Sequence, residues 1–133
     1  MDWKLETVTL PVADVDRAKH FYSEQVGFNV DHDTPVSDEM RIVQLTPPGS
    51  ACSIVIGSGM DGGATGTVQL QLVVSDIVAA RAELLARDVE ISEVQHFEGA
   101  ERVDGPGGDW NSFAFFTDPD GHGWALQQSP ARD

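Results

Sequence analysis

Two stretches of this chain repeat one pattern at an offset of 62 residues, and that repeat limits the folds open to it. Residues 7–18 read TVTLPVADVDRA and residues 69–80 read QLQLVVSDIVAA. Leu10 aligns with Leu72, Val12 with Val74, Asp14 with Asp76 and Ala18 with Ala80. Each copy opens with apolar residues at alternate positions, Val8, Leu10 and Val12 in one and Leu70, Leu72 and Val74 in the other. Alternation at period two is the mark of a half-buried strand. Each copy then places an aspartate where a helix should start, because a carboxylate accepts the first free amides and suits the positive end of a helix. Helical spacing follows, with Val15, Ala18, Phe21, Tyr22 and Val26 as one stripe and Ile77, Ala80, Leu84 and Leu85 as the other. Gly27 is a natural left-handed stop for the first helix, and the second is expected to end near Asp88.

Short β-rich segments complete each copy. In the first they are Phe28–His32, Met40–Thr46 and Cys52–Gly57; in the second, Ile91–Phe97, Ser112–Thr117 and Trp124–Gln128. Turn residues such as Pro47-Pro48-Gly49 and Asp118-Pro119-Asp120-Gly121 separate them. Each half therefore reads βαβββ, and the fold class is α+β. The expected organisation is one domain over 1–133: a first module over about 1–58, a Gly-rich linker over 58–66, and a second module over about 67–130. Neither half easily buries its sheet alone, so the two modules are expected to share one core.

The charge balance excludes some partners. Against 22 Asp and Glu stand 8 Lys and Arg, a formal charge of −14. Contact with phosphate backbones needs clustered Lys and Arg, so nucleic acid and anionic membrane surfaces are poor partners, whereas a cation would be attracted. No run approaches the ~18 apolar residues of a membrane span. The N-terminus lacks the basic start and apolar stretch of a secretory signal, and one cysteine, Cys52, forms no intrachain disulfide. A cytoplasmic address is the default expectation.

Three segments carry a family likeness: LPVADVDRAKHFYSEQVGF (residues 10–28), LVVSDIVAARAELLARDV (residues 72–89) and FFTDPDGHGWALQ (residues 115–127). Together with the duplication, they make the chain resemble the vicinal oxygen chelate superfamily of glyoxalase I, extradiol dioxygenases, and fosfomycin- and bleomycin-resistance proteins. The resemblance implies two βαβββ modules forming a curled mixed sheet around a cleft, often completed in a homodimer. It also implies, for many members, a divalent metal bound to His or Gln on the first strand of each module and Glu on the last. In this chain those places fall on Thr7, Gln69 and Ala125, and residues 40–60 hold no Asp, Glu or His. Divalent ions need imidazole or carboxylate donors, so no metal or other cofactor is expected at the usual site. A shifted site would have to draw on His96, His122, Glu98 and Asp109, whose spacing matches no metal motif.

If Val8, Leu10, Leu70, Leu72, Trp124 and Leu126 face the helices, then Thr7, Thr9, Gln69, Gln71, Gly123, Ala125 and Gln127 face the cleft. Such hydroxyls and amides suit an uncharged organic ligand better than a bare cation. The same groups could instead satisfy one another on a wetted sheet face. Residues 97–110 read as a long acidic segment ending in Trp110, a candidate lid whose indole could stack on an aromatic cation. Phe113, Phe115 and Trp124 read as core, Cys52 as a small buried residue, His20 as solvent-facing, and Arg41 as a surface ion-pair partner rather than an anion site.

The resulting expectation is a small-molecule-binding protein of the bleomycin-resistance kind. It would sequester a cationic or aromatic ligand in a dimer cleft through Thr7, Thr9, Gln69, Gln71, Trp110 and Gln127. The alternative is a metal-dependent glyoxalase-like lyase, isomerase or dioxygenase with a non-standard metal site. A metal-free enzyme would take its general base from Glu101, Asp104 or His96, and the sequence singles out none of them, so no catalytic residue is assigned.

Overall fold

The computed structural model describes residues 1–58 and 66–130, so the interior of the Gly-rich linker lies outside the described residues. The chain divides after Val68 into two units.

The first unit runs β1 (Thr7–Thr9), α1 (Val15–His20), β2 (Asn29–Pro35), β3 (Arg41–Thr46) and β4 (Ser53–Ser58). Its sheet order is β1-β4-β3-β2, with β1 parallel to β4 and the other pairs antiparallel. β1 is shorter than the alternation suggests. Pro11 offers no amide, although the Leu10 amide still reaches the Val55 carbonyl at 2.9 Å. The Asp14 carboxylate accepts the Arg17 amide at 3.1 Å, the expected cap. Beyond His20 the helix widens into π-type turns over Phe21–Val26. Ser23 Oγ donates back to the Lys19 carbonyl at 2.7 Å within them, a bond that competes with the regular ladder. Gly27, at φ 91°, ends the helix. α1 lies on β4, and Leu10, Ala18, Tyr22, Val43, Leu45 and Ile56 form the buried centre. Cys52 sits just before β4 and is half-buried rather than buried.

The second unit runs β5 (Gln69–Val74), α2 (Ile77–Ala86), β6 (Gln95–Glu98), β7 (Glu101–Asp104), β8 (Phe113–Thr117) and β9 (Gly123–Gln128). The order is β5-β9-β8-β6-β7, with β5 parallel to β9. This is one strand more than βαβββ. β6 and β7 form a tight hairpin in which Glu98 pairs with Glu101 and Gly99 takes φ 64°. Residues 97–110 are therefore not a single irregular lid, because part of them pairs as β7. The strand expected from Ile91 begins only at Gln95. Ser92 explains the delay: its amide meets the Phe115 carbonyl at 2.9 Å, but its hydroxyl accepts the Phe115 amide at 2.9 Å and its carbonyl accepts Arg81 Nε at 2.7 Å, so the ladder does not continue regularly there.

Asp76 caps α2 through the Ala79 amide at 3.0 Å, and Asp88 takes φ 64° after the helix ends. Ile77 and Leu84, seven residues apart, face the sheet. Leu85 lies about 100° further round and is exposed, contrary to the expected stripe. α2 lies on β8 and β9, above buried Ala114, Phe116, Trp124 and Leu126. In each unit one sheet face is covered by the unit's helix, and the other carries the candidate site residues.

Candidate functional site

On the helix-free face of the second unit, strand register decides which side chains meet. Gln69 pairs with Gly123, Gln71 with Ala125 and Val73 with Gln127, while β8 sets Phe113 opposite Gln127 and Phe115 opposite Ala125. The Gln71 amide donates to Gln127 Oε1, and Gln127 Nε2 donates to the Trp110 carbonyl at 2.9 Å. Three expected site residues thus form one chain of bonds, tied through the backbone of Trp110 rather than its ring. Gln69 lies over Gly123, where a Cβ would overlap its amide.

Phe113 and Phe115 are not core, as the sequence suggested. Their neighbours Ala114 and Phe116 are buried, and the two rings are half-exposed on the opposite face. They run nearly parallel, with centroids 6.0 Å apart and an interplanar angle of 10°, and Phe97 meets Phe113 edge-on at 5.3 Å. From β7 the Arg102 guanidinium lies over the Phe115 ring, 3.8 Å from its centroid. The charge on these rings is positive, although the net charge of the chain is negative. Phe97 is held where the β6–β8 ladder lapses: its amide and carbonyl both bond to the Asn111 side chain at 2.9 Å.

Trp110, at φ 62° and 44% exposed, stands in the turn closed by the Asn111 amide on the Gly108 carbonyl. On β6, His96 uses both ring nitrogens, Nδ1 with the Gly105 carbonyl at 2.8 Å and Nε2 with Glu98 at 3.1 Å. The Gly105 carbonyl first, and Glu98 second, hold its pKa above the ordinary histidine value.

The helix-free face of the first unit is polar. Thr7 pairs in register with Ser53 and Thr9 with Val55. Ser53 Oγ meets Thr46 Oγ1 at 2.5 Å, and Asp31, beside an irregularity in β2, accepts from Thr46 Oγ1 and, at 3.3 Å, from Gln44 Nε2. Arg41 is committed elsewhere. It grips both carboxylate oxygens of Asp33 at 2.9 and 2.8 Å and reaches Asp16 at 2.7 Å, while Lys19 adds a bond to Asp33 at 2.7 Å. Arg41 and then Lys19 hold the Asp33 carboxyl well below the usual carboxylate range. The ion pair is the outcome expected for Arg41.

Residues 4–126 match the family profile of the Glyoxalase/Bleomycin resistance protein/Dioxygenase superfamily. The chain belongs to that superfamily. Among solved structures of the superfamily fold, the chain is similar to TnmS3, an antibiotic binding protein from Streptomyces sp. CB03234. The two share 30% identity, with 97% of this chain and 98% of that one covered, at a TM-score of 0.74. A glyoxalase/bleomycin resistance protein from the same organism shares 31% identity over 94% of this chain and 100% of its own, at a TM-score of 0.70. The uncharacterized protein YetH of Bacillus subtilis is 26% identical over 94% of this chain and 98% of its own length.

The superfamily raises the question of a metal, and the donor chemistry answers against one at the usual positions. The first strands offer Thr7 and Gln69, while the last strands offer Val55, opposite Thr9, and Ala125, opposite Gln71. A hydroxyl, an amide and two hydrocarbon side chains do not fit a divalent ion. Among the described residues no three His, Cys, Asp or Glu side chains converge. The shifted alternative is not assembled either: His96 and Glu98 bond to each other, His122 is fully buried, and Asp109 is exposed.

Proposed function

We propose that this superfamily member binds and sequesters a planar aromatic organic molecule on the helix-free face of its second unit, with no metal at the usual positions. The observation that carries the reading is the strip Phe97, Phe113 and Phe115 beside the Gln71–Gln127 amides. Aromatic surface supplies most of the affinity in such sites, and a few fixed amides supply orientation. Similarity to an antibiotic binding protein supports the same reading. The homodimer implied by the family resemblance belongs to the proposal, and equilibrium sedimentation should return the mass of two chains.

The test is a binding titration of planar polycyclic aromatics against protein dialysed with a chelator, repeated with added zinc, nickel, iron(II) and manganese. The proposal expects saturable one-to-one binding that is unchanged by the metals. Binding or turnover that appears only with stoichiometric metal would favour the lyase or dioxygenase alternative.

A further inference from the structure

Arg102 differs from three other cations of this acidic chain. Lys19, Arg41 and Arg81 each pair with a carboxylate. Among the described residues, no carboxylate lies within ion-pair distance of Arg102, whose guanidinium sits over the face of Phe115. Asp104, two residues along the same strand, is instead bonded by the Gln95 amide at 3.1 Å. In a chain with 22 acids, a cation left unpaired beside a candidate ligand face needs an explanation.

Geometry supplies one. Arg102 stands on β7, the strand added to the second unit beyond βαβββ, and the register Phe97–Arg102 places it on the aromatic face. Stacking on Phe115 uses the flat side of the guanidinium and leaves its N–H edge, a fork of donors, available. That fork matches the two oxygens of a carboxylate or the oxygens of an ionised phenol. The ring beneath it fixes the plane and lowers the entropy lost on pairing.

We infer that the ligand of this face is an aromatic acid, a planar ring system bearing a carboxylate or acidic phenol that Arg102 receives while the rings lie along Phe113 and Phe115. The inference rests on the binding function proposed above and names the ligand class for that same face. It replaces the expectation, drawn from net charge and the acidic segment ending in Trp110, of a cationic ligand.

The experiment compares three probes of one shape on the full chain: anthracene-9-carboxylate, anthracene-9-carboxamide and 9-(aminomethyl)anthracene, each followed by its own fluorescence anisotropy. The carboxylate should bind tighter than the carboxamide by on the order of tenfold, the ammonium should bind weakest, and added salt should shrink the differences. In Arg102→Gln the carboxylate preference should vanish while carboxamide affinity holds, and Arg102→Lys should restore part of it. Far-ultraviolet circular dichroism identifies any variant that has lost its fold; Phe115→Leu then serves as a second probe, and it should weaken all three ligands. Equal binding of acid and amide by the wild type, tightest binding of the ammonium, or a carboxylate preference that survives Arg102→Gln would each overturn the inference and leave the binding function standing. Failure of all three probes to bind would overturn both.

Discussion

Adjacent residues of β8 give the sharpest energetic contrast, because Phe115 and Phe116 point to opposite faces. Phe116 is 4% exposed and stacks on Trp124 with centroids 6.0 Å apart and planes 6° from parallel. Truncating such a core ring to alanine costs about 3–5 kcal/mol through lost transfer energy and an unfilled cavity. Phe115 is half-buried, so its truncation should cost about 1 kcal/mol of burial plus roughly 0.5–1 kcal/mol for the Arg102 contact. The two variants should therefore differ by about 2 kcal/mol. At this chain length that corresponds to roughly 6–10 °C in melting temperature, or to urea midpoints about 1 M apart at unchanged slope. Binding should rank the other way: Phe115→Ala loses the aromatic ligand, whereas the gentler core change Phe116→Leu keeps it. Equal destabilisation by Phe115→Ala and Phe116→Ala would refute the assignment of Phe115 to the open face, and with it the site.

Two further predictions concern charge. Asp33→Asn should destabilise the protein at neutral pH by about 1–2 kcal/mol, because it weakens the bonds to Arg41 and Lys19. The folded-state pKa of Asp33 is lowered, so its contribution is present above the unfolded value of about 4 and is lost as pH falls through the folded one; the gap between wild type and variant should close in acid urea titrations. His96 has the opposite sign. Its folded-state pKa is raised, so its contribution is complete below about 6.5 and is lost as pH rises through the folded value. The urea midpoint of wild type relative to His96→Gln should therefore decline on going from acid to alkaline pH, and a pH-independent difference would contradict the bonding described for its ring.

The duplicated strand–Asp–helix unit was readable because every link in it is local: period-two alternation, an aspartate cap and a glycine or aspartate stop. The polar positions Gln71 and Gln127 followed from alternation alone, and their amides bond to each other, as in the reading where such groups satisfy one another on the sheet face. The aromatic half of the site did not follow. In Phe113-Ala114-Phe115-Phe116 both parities carry aromatic rings, so alternation gives no preferred face. Only pairing with β9, where Ala114 meets Leu126 and Phe116 meets Trp124, fixes the phase. Since Trp124 and Leu126 already read as helix-facing, assuming an antiparallel β8–β9 pair would have turned Phe113 and Phe115 outward. Arg102 was hidden for another reason: residues 97–110 hold four glycines and four acids, and the short hairpin within them is carried by one turn at Gly99 rather than by hydrophobic periodicity.

On the proposed function, an aromatic ligand occupies the helix-free face of the second unit with no help from a metal. Backbone amide chemical shifts, followed by nuclear magnetic resonance while anthracene-9-carboxylate is titrated in the presence of a chelator, test it most directly. Saturable shifts concentrated at Gln71, Phe97, Arg102, Phe113, Phe115 and Gln127 are the predicted result. Shifts centred on the polar face around Thr7, Gln44 and Ser53, or shifts that arise only after a divalent metal is restored, would contradict it.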